Sequence, residues 1–171
     1  MSGTGNKQDL PISDYRALGQ FRYQIRRFLH FSEAAARAED LEPQQHQMIL
    51  AIRAWDEPDA PTIGELAAHL LLKHHSAVGL VDRLVQHGLV ERVRDEDDRR
   101  QVRVHLTAEG RAKLARLSKV HREELRSSGP ALVDALGALL HGLHVDTRAI
   151  ARTKGKDVRK TQDNDPSQRE R

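Results

Sequence analysis

Apolar residues recur at spacings of three and four through Tyr15, Leu18, Phe21, Ile25, Phe28 and Leu29. That is the stripe of an amphipathic helix, predicted over residues 13–38. Ser13 or Asp14 is placed to cap it. A second helix is predicted over residues 43–55. It opens on Pro43, whose missing N–H costs nothing at a first helical position, and carries Met48, Ile49, Leu50 and Ile52 before Asp-Glu-Pro-Asp-Ala-Pro ends it. Thr62-Ile-Gly-Glu65 has the form of a capping box. Ile63, Leu66, Ala67 and Leu70 share one face of the short helix that follows. A further helix, residues 73–87, turns Ala77, Leu80, Val81 and Leu84 inward and stops at Gly88, the residue suited to a left-handed helix end. Two strands, 89–94 and 101–106, are predicted next, the second by alternation of Val102, Val104 and Leu106 with Arg103 and His105. Thr107 caps a long helix to about residue 127. Ser128-Gly129-Pro130 marks a break, and a last helix from Pro130 carries Leu132, Leu136, Leu139, Leu140 and Leu143.

Short helix, tight turn, second helix and charged hairpin is the order of a winged helix-turn-helix. The fold expected is therefore mainly α with a small β-hairpin wing (α+β), flanked by helices at both ends. The organisation expected is a flexible arm over residues 1–12 and one domain over residues 13–151. Within it the winged lobe covers about 43–107, and dimerisation helices cover about 13–38 and 108–151. A polar tail that cannot bury enough surface to order itself occupies residues 152–171. The chain has 171 residues and a formal charge of +3, but the distribution of charge matters more than the sum. Residues 151–171 hold seven Lys and Arg against four Asp and Glu, so residues 1–150 hold 21 of each. Bulk electrostatics thus gives no nucleic-acid signal for the folded part; the case rests on a few placed cations. The sequence contains no apolar leader at Met1 and no run long enough to span a membrane, and a cytoplasmic protein is the expectation.

An α-helix fits the major groove of B-form DNA. The outer face of the 73–87 helix presents Lys73, His74, His75, Ser76, Val78, Gly79, Asp82 and Arg83. Lys73 and Arg83 suit phosphates. His75 and Ser76 can hydrogen-bond bases or phosphates, Val78 can meet a thymine methyl, and Gly79 lets the backbone come close. The hairpin tip, residues 95–100, is entirely charged and must project into solvent or onto a charged ligand. Arg99 and Arg100 suit the negative potential of a narrow minor groove, with Asp98 orienting an arginine through a charge-assisted bond. Five of the six aromatic residues fall in the first helix, which fits either a partner chain or ordinary core packing.

With the His74-His75-Ser76-Ala77-Val78 helix start, the D-x-x-D-R-R tip (Asp95, Asp98, Arg99, Arg100) and the L-T-x-x-G opening of the next helix (Leu106, Thr107, Gly110), the chain resembles the MarR family of bacterial transcription regulators. Similarity extends to LEPQQHQMILAI and RRFLHFSEAAARA and covers about residues 14–151. The resemblance implies a homodimer with interlocked terminal helices, its lobes reading half-sites roughly 34 to 36 Å apart on double-stranded DNA. It also implies a repressor relieved by a small aromatic or phenolic effector, with Phe28, His30, His46 and Trp55 as candidate pocket residues. Two departures matter. Val78 and Gly79 stand where many members carry Thr and Arg, so guanine reading by a mid-helix arginine is absent. With no cysteine, the thiol switch of the peroxide-sensing branch is absent too.

No phosphate-binding Gly-rich loop, Ser-His-Asp set or H-E-x-x-H pattern occurs, so no catalytic residue and no cofactor is expected. Of the ten histidines, His141 with His144 and His121 with Glu124 share helical faces, but neither spacing makes a metal site, and none is expected. The rival reading is a winged-helix protein-interaction module that does not bind specific DNA; Lys73, Arg83, Arg99 and Arg100 weigh against it.

Overall fold

The computed structural model describes residues 10–55, 60–94 and 101–142. Its elements run α1 (Ile12–Ala38), α2 (Pro43–Arg53), α3 (Ile63–His69), α4 (His74–Gln86), β1 (Val90–Arg94), β2 (Val102–Leu106) and α5 (Ala108–Gly142). Residues 1–9 of the expected N-terminal arm, residues 56–59, the hairpin tip and the polar tail expected from the sequence lie outside the described residues. No described helix is long and apolar enough to cross a membrane.

The chain divides into two compact units, one of residues 27–127 and one combining 1–26 with 128–171. Within the first, α2, α3, α4, the hairpin and the start of α5 enclose a core. Met48 and Ile49 of α2, Leu66 of α3, Leu80, Val81 and Leu84 of α4, Val104 of β2 and Leu117 of α5 are all essentially inaccessible to water. Burial of each such side chain contributes roughly 1.5 to 3 kcal/mol. In the second unit Gln24 and Ala135 are buried.

The strands pair antiparallel in the register Val90↔Leu106 to Arg94↔Val102. Period-two patterning holds in β2, where Val104 and Leu106 are buried, but in β1 only Val90 is. The segment before α3 is fastened to β2: Thr62 bridges Arg103, the Val104 N–H donates to the Pro61 carbonyl at 2.9 Å, and Arg103 Nη1 donates to the Ala60 carbonyl at 2.7 Å.

Three helices end in one way. The residues after α1, α3 and α4 with positive φ are Asp40 (55°), Leu71 (55°) and Gly88 (68°). The next residue, Leu41, Leu72 or Leu89, donates its N–H to the carbonyl five positions back, on Ala36, Ala67 or Leu84, at 2.8 to 3.0 Å. This is the Schellman geometry, which pairs otherwise orphaned carbonyls and turns the following residue toward the helix it has just left.

Three expectations need correction. Neither Ser13 nor Asp14 caps α1: the helix begins at Ile12, the Pro11 carbonyl accepts from the Asp14 N–H at 2.9 Å, and the Ser13 hydroxyl donates to the Asp14 carboxylate. Helix α2 stops at Arg53, two residues short of Trp55. The break at Ser128-Gly129-Pro130 is absent, because α5 runs through Pro130 without interruption. Gly129 has no Cβ to meet the proline ring, which relieves the restriction on the preceding residue, while the Arg126 carbonyl still loses its N–H donor at Pro130.

Helix α5 is anchored at its start. The Thr107 hydroxyl accepts from the Gly110 N–H at 3.0 Å and donates to the Gly88 carbonyl at 2.6 Å, and the Thr107 N–H donates to Leu89 at 3.1 Å. Farther along, Arg116 Nε donates to the Glu39 carboxylate at 3.0 Å, which holds that carboxyl below its ordinary range. Gly110 is buried, and a Cβ there would run into the backbone carbonyl of Leu89. Gly137, in the same helix, has open space around it. Gly110→Ala is therefore expected to destabilise by about 1 to 3 kcal/mol through overpacking, while Gly137→Ala stabilises by up to about 1 kcal/mol through helix propensity. Urea denaturation of the two variants checks the opposite signs.

Candidate nucleic-acid interface

Helix α4 buries Ala77, Leu80, Val81 and Leu84, as the periodicity requires. Its opposite side is left to solvent at the start: Lys73, His74, His75 and Ser76 are exposed, and Val78 and Gly79 are half-buried. Lys73 occupies the N-cap position without a side-chain cap. The positive end of the helix dipole is thus left to whatever anion approaches, beside a cationic side chain. The capping box expected before α3 is present. Thr62 Oγ1 accepts from the Glu65 N–H at 3.3 Å, and Glu65 Oε2 accepts from the Thr62 N–H at 2.7 Å. That backbone hydrogen bond, with a second from the Thr62 hydroxyl, holds the Glu65 carboxyl below its ordinary range.

Asp82 does not stand free on the outer face. It accepts from Arg92 Nη1 of β1 at 2.7 Å, joining the helix to the hairpin. Exposed pairs of this kind add at most about 1 kcal/mol to stability, so its effect is to fix the hairpin's direction. Arg92 escaped the sequence reading because nothing local marks it; only the fold brings it to Asp82. Arg83 is exposed and folds back along α4, its Nη1 3.7 Å from where a Cβ on Gly79 would stand. It lines a cleft of about 390 Å³ with Arg37, Asp40, Leu41, Glu42, Gln45 and His87. Asp98, Arg99 and Arg100 lie outside the described residues.

Of the four candidate effector-pocket residues, two come together. His46 is buried at 5% exposure, and its ring lies 4.8 Å from that of His121. Phe28 meets His121 edge-on at 6.1 Å, as Phe31 does at 5.6 Å. His121 is the hub: its Nδ1 donates to the Leu117 carbonyl at 2.8 Å, and its Nε2 is hydrogen-bonded to Ser32 Oγ at 2.9 Å. His30 is exposed and takes no part in these ring contacts. Trp55 packs edge-on against His69 at 5.8 Å instead. His121 is not paired with Glu124, which faces Arg27 at 3.8 Å. No group of three or more metal-ligating side chains occurs among the described residues. His141 is exposed, and His144 lies outside them.

Burial, and after it the facing His121, lowers the pKa of His46 from 6.5 to about 4. The unfolded chain then binds more protons than the fold throughout that interval, so stability is complete above pH 6.5 and is lost as pH falls toward 4. Between about pH 6.5 and pH 5, above the range where lowered carboxyls titrate, the loss expected from His46 alone is about 2 kcal/mol. In His46→Gln that share of the slope disappears. Equal slopes in wild type and variant, measured by urea denaturation, would contradict it.

Residues 39–101 match the MarR family model. Over 73 residues the chain is 38% identical to the uncharacterized HTH-type transcriptional regulator YsmB of Bacillus subtilis (strain 168), covering 43% of this chain and 50% of that protein. Over 90 residues it is 33% identical to the transcriptional activatory protein BadR of Rhodopseudomonas palustris (strain ATCC BAA-98 / CGA009), covering 52% of this chain and 51% of that one. The chain thus aligns with about half the length of these relatives. In fold it is similar to AbsC, a MarR family transcriptional regulator from Streptomyces coelicolor, with a TM-score of 0.66, 18% identity, and coverage of 87% of this chain and 99% of that one. It is also similar to a mutant of S. aureus MepR bound to an oligodeoxyribonucleotide, with a TM-score of 0.56, 16% identity, and coverage of 90% and 97%. Residues 39–101, which hold α2, α3, α4 and β1, are thus similar to the MarR family.

Proposed function

We propose that this chain is a dimeric DNA-binding transcription regulator that inserts the start of α4 into the major groove and its hairpin tip, with Arg99 and Arg100, into the minor groove. The observation that carries the reading is the exposed run Lys73-His74-His75-Ser76 at the uncapped start of a helix whose other face is locked into the core. The oligonucleotide bound to the similar MepR variant supports it, as does the naming of both sequence relatives as transcription regulators.

The dimer is supported by apolar surface that is exposed among the described residues. In α1, Ile12, Leu18 and Tyr23 are exposed at 42 to 65%, and in α5 Val133 reaches 68%. Aromatic surface of this size is costly to leave in water. The proposed action is repression by occupancy of a pseudo-palindromic operator, relieved by a small aromatic or phenolic effector that binds beside Phe28 and His46.

The test is fluorescence anisotropy with duplexes from around the chain's own gene at several salt concentrations. A specific complex is expected, of a protein sedimenting at twice the 19.3 kDa chain mass. Its affinity should fall linearly in log salt. Lys73→Ala should weaken binding to all sites alike and reduce the salt slope by about 1 per half-site. Replacing His75 or Ser76 should change preference between operator variants by roughly 1 to 3 kcal/mol at one base pair. Absence of any specific complex at low salt would end the reading in favour of a protein-interaction module.

A further inference from the structure

Leu71 does the same backbone work as Asp40 and Gly88, yet it is the wrong residue for it. Glycine adopts positive φ freely, and aspartate tolerates it through a short polar side chain. A leucine at φ 55° sets its Cβ against the backbone. Its side chain gains nothing by burial here, being 93% exposed, more than any other large hydrophobic residue described. Its neighbours Leu70 and Leu72 pack against the core, so of these three leucines Leu71 alone projects. It stands two residues before Lys73, at the edge of the exposed run that opens α4.

On the proposed function, we infer that Leu71 is a base-reading residue that packs against the C5-methyl group of a thymine at the edge of the half-site. The chemistry is matched on both sides. The thymine methyl is the distinctive apolar group on the major-groove edge, and Leu71 is, among the described residues, the aliphatic side chain that projects beside the cationic and polar start of the helix. A protein partner fits less well. Stable protein interfaces bury on the order of 800 Å² per side around an apolar centre, and a lone leucine among Lys73, His74 and His75 offers no such area. The contact would supply discrimination that half-buried Val78 and Gly79 leave missing farther along the helix.

The experiment takes the duplex that the full chain selects from a random pool and replaces the thymines of each half-site one at a time by deoxyuridine. Wild type should lose about fourfold in affinity at one position, the equivalent of one buried methyl group. Leu71→Gly should bind the parent duplex more weakly, show no sensitivity to deoxyuridine at that position, and melt at the same temperature as wild type or higher. Leu71→Met, still apolar, should recover part of both the affinity and the sensitivity. Unchanged affinity in Leu71→Gly, deoxyuridine sensitivity equal in both proteins, or a lowered melting temperature each overturns the assignment while leaving DNA binding intact. Failure of wild type to select any duplex overturns the assignment and the proposed function together.

Discussion

A helix that ends against a core must reverse the chain without stranding its last carbonyls, and a left-handed residue is the compact solution. Residues 27–127 use it after α1, α3 and α4, each time followed by a leucine. The consequences reach beyond the turns. Leu41 and Leu89 are driven into the core and Leu72 is packed onto it. The Leu89 carbonyl is left where it accepts from Thr107 and crowds Gly110. The end of α4, the root of the hairpin and the first turn of α5 are thereby tied together within a few residues of one another.

That knot determines what α4 can offer. Leu80, Val81 and Leu84 on its inner face, each contributing roughly 1.5 to 3 kcal/mol, outweigh the Asp82–Arg92 pair several-fold. Burial therefore holds the helix in place, and the ion pair only directs the strand beside it. The helix's exposed polar groups fall at its two ends, Lys73, His74, His75 and Ser76 at the start and Arg83, Gln86 and His87 at the close. Asp82 is engaged with Arg92, and Arg83 lies along the cleft that also contains Asp40 and Glu42.

The sequence was most informative where a signal is local. The inner face of α4, the Thr62–Glu65 box, Gly88 and the Leu106-Thr107-x-x-Gly110 opening of α5 all depend on neighbours a few positions apart, and each appears where the spacing places it. Pro130 is a breaker by local rule, yet α5 continues through it, since a proline can kink a helix without ending it. Leu71 was missed because leucine carries no turn signal. The His46–His121 contact joins residues 75 apart in sequence, so neither spacing nor periodicity could pair them. Of the pocket residues inferred from resemblance, Phe28 and His46 converge because both face His121, whereas Trp55 had no local constraint to keep it off His69.

Under the proposed function, the shortage of reading groups has a physical consequence. A helix that meets bases only through its first turn covers few base pairs in each half-site, so one lobe alone would discriminate weakly. Two lobes on a twofold axis multiply that discrimination, because a wrong spacing between half-sites costs the whole of one lobe's contacts. Rigidity then matters as much as contact chemistry: a hairpin or helix free to shift by a base pair would accept many spacings. The turn at Leu71 sets α4 against α3, while the close packing at Gly110 and the Asp82–Arg92 pair hold the end of α4 to α5 and the hairpin. In a lobe with so little to read, holding the few reading groups in one position is the main source of selectivity open to this fold.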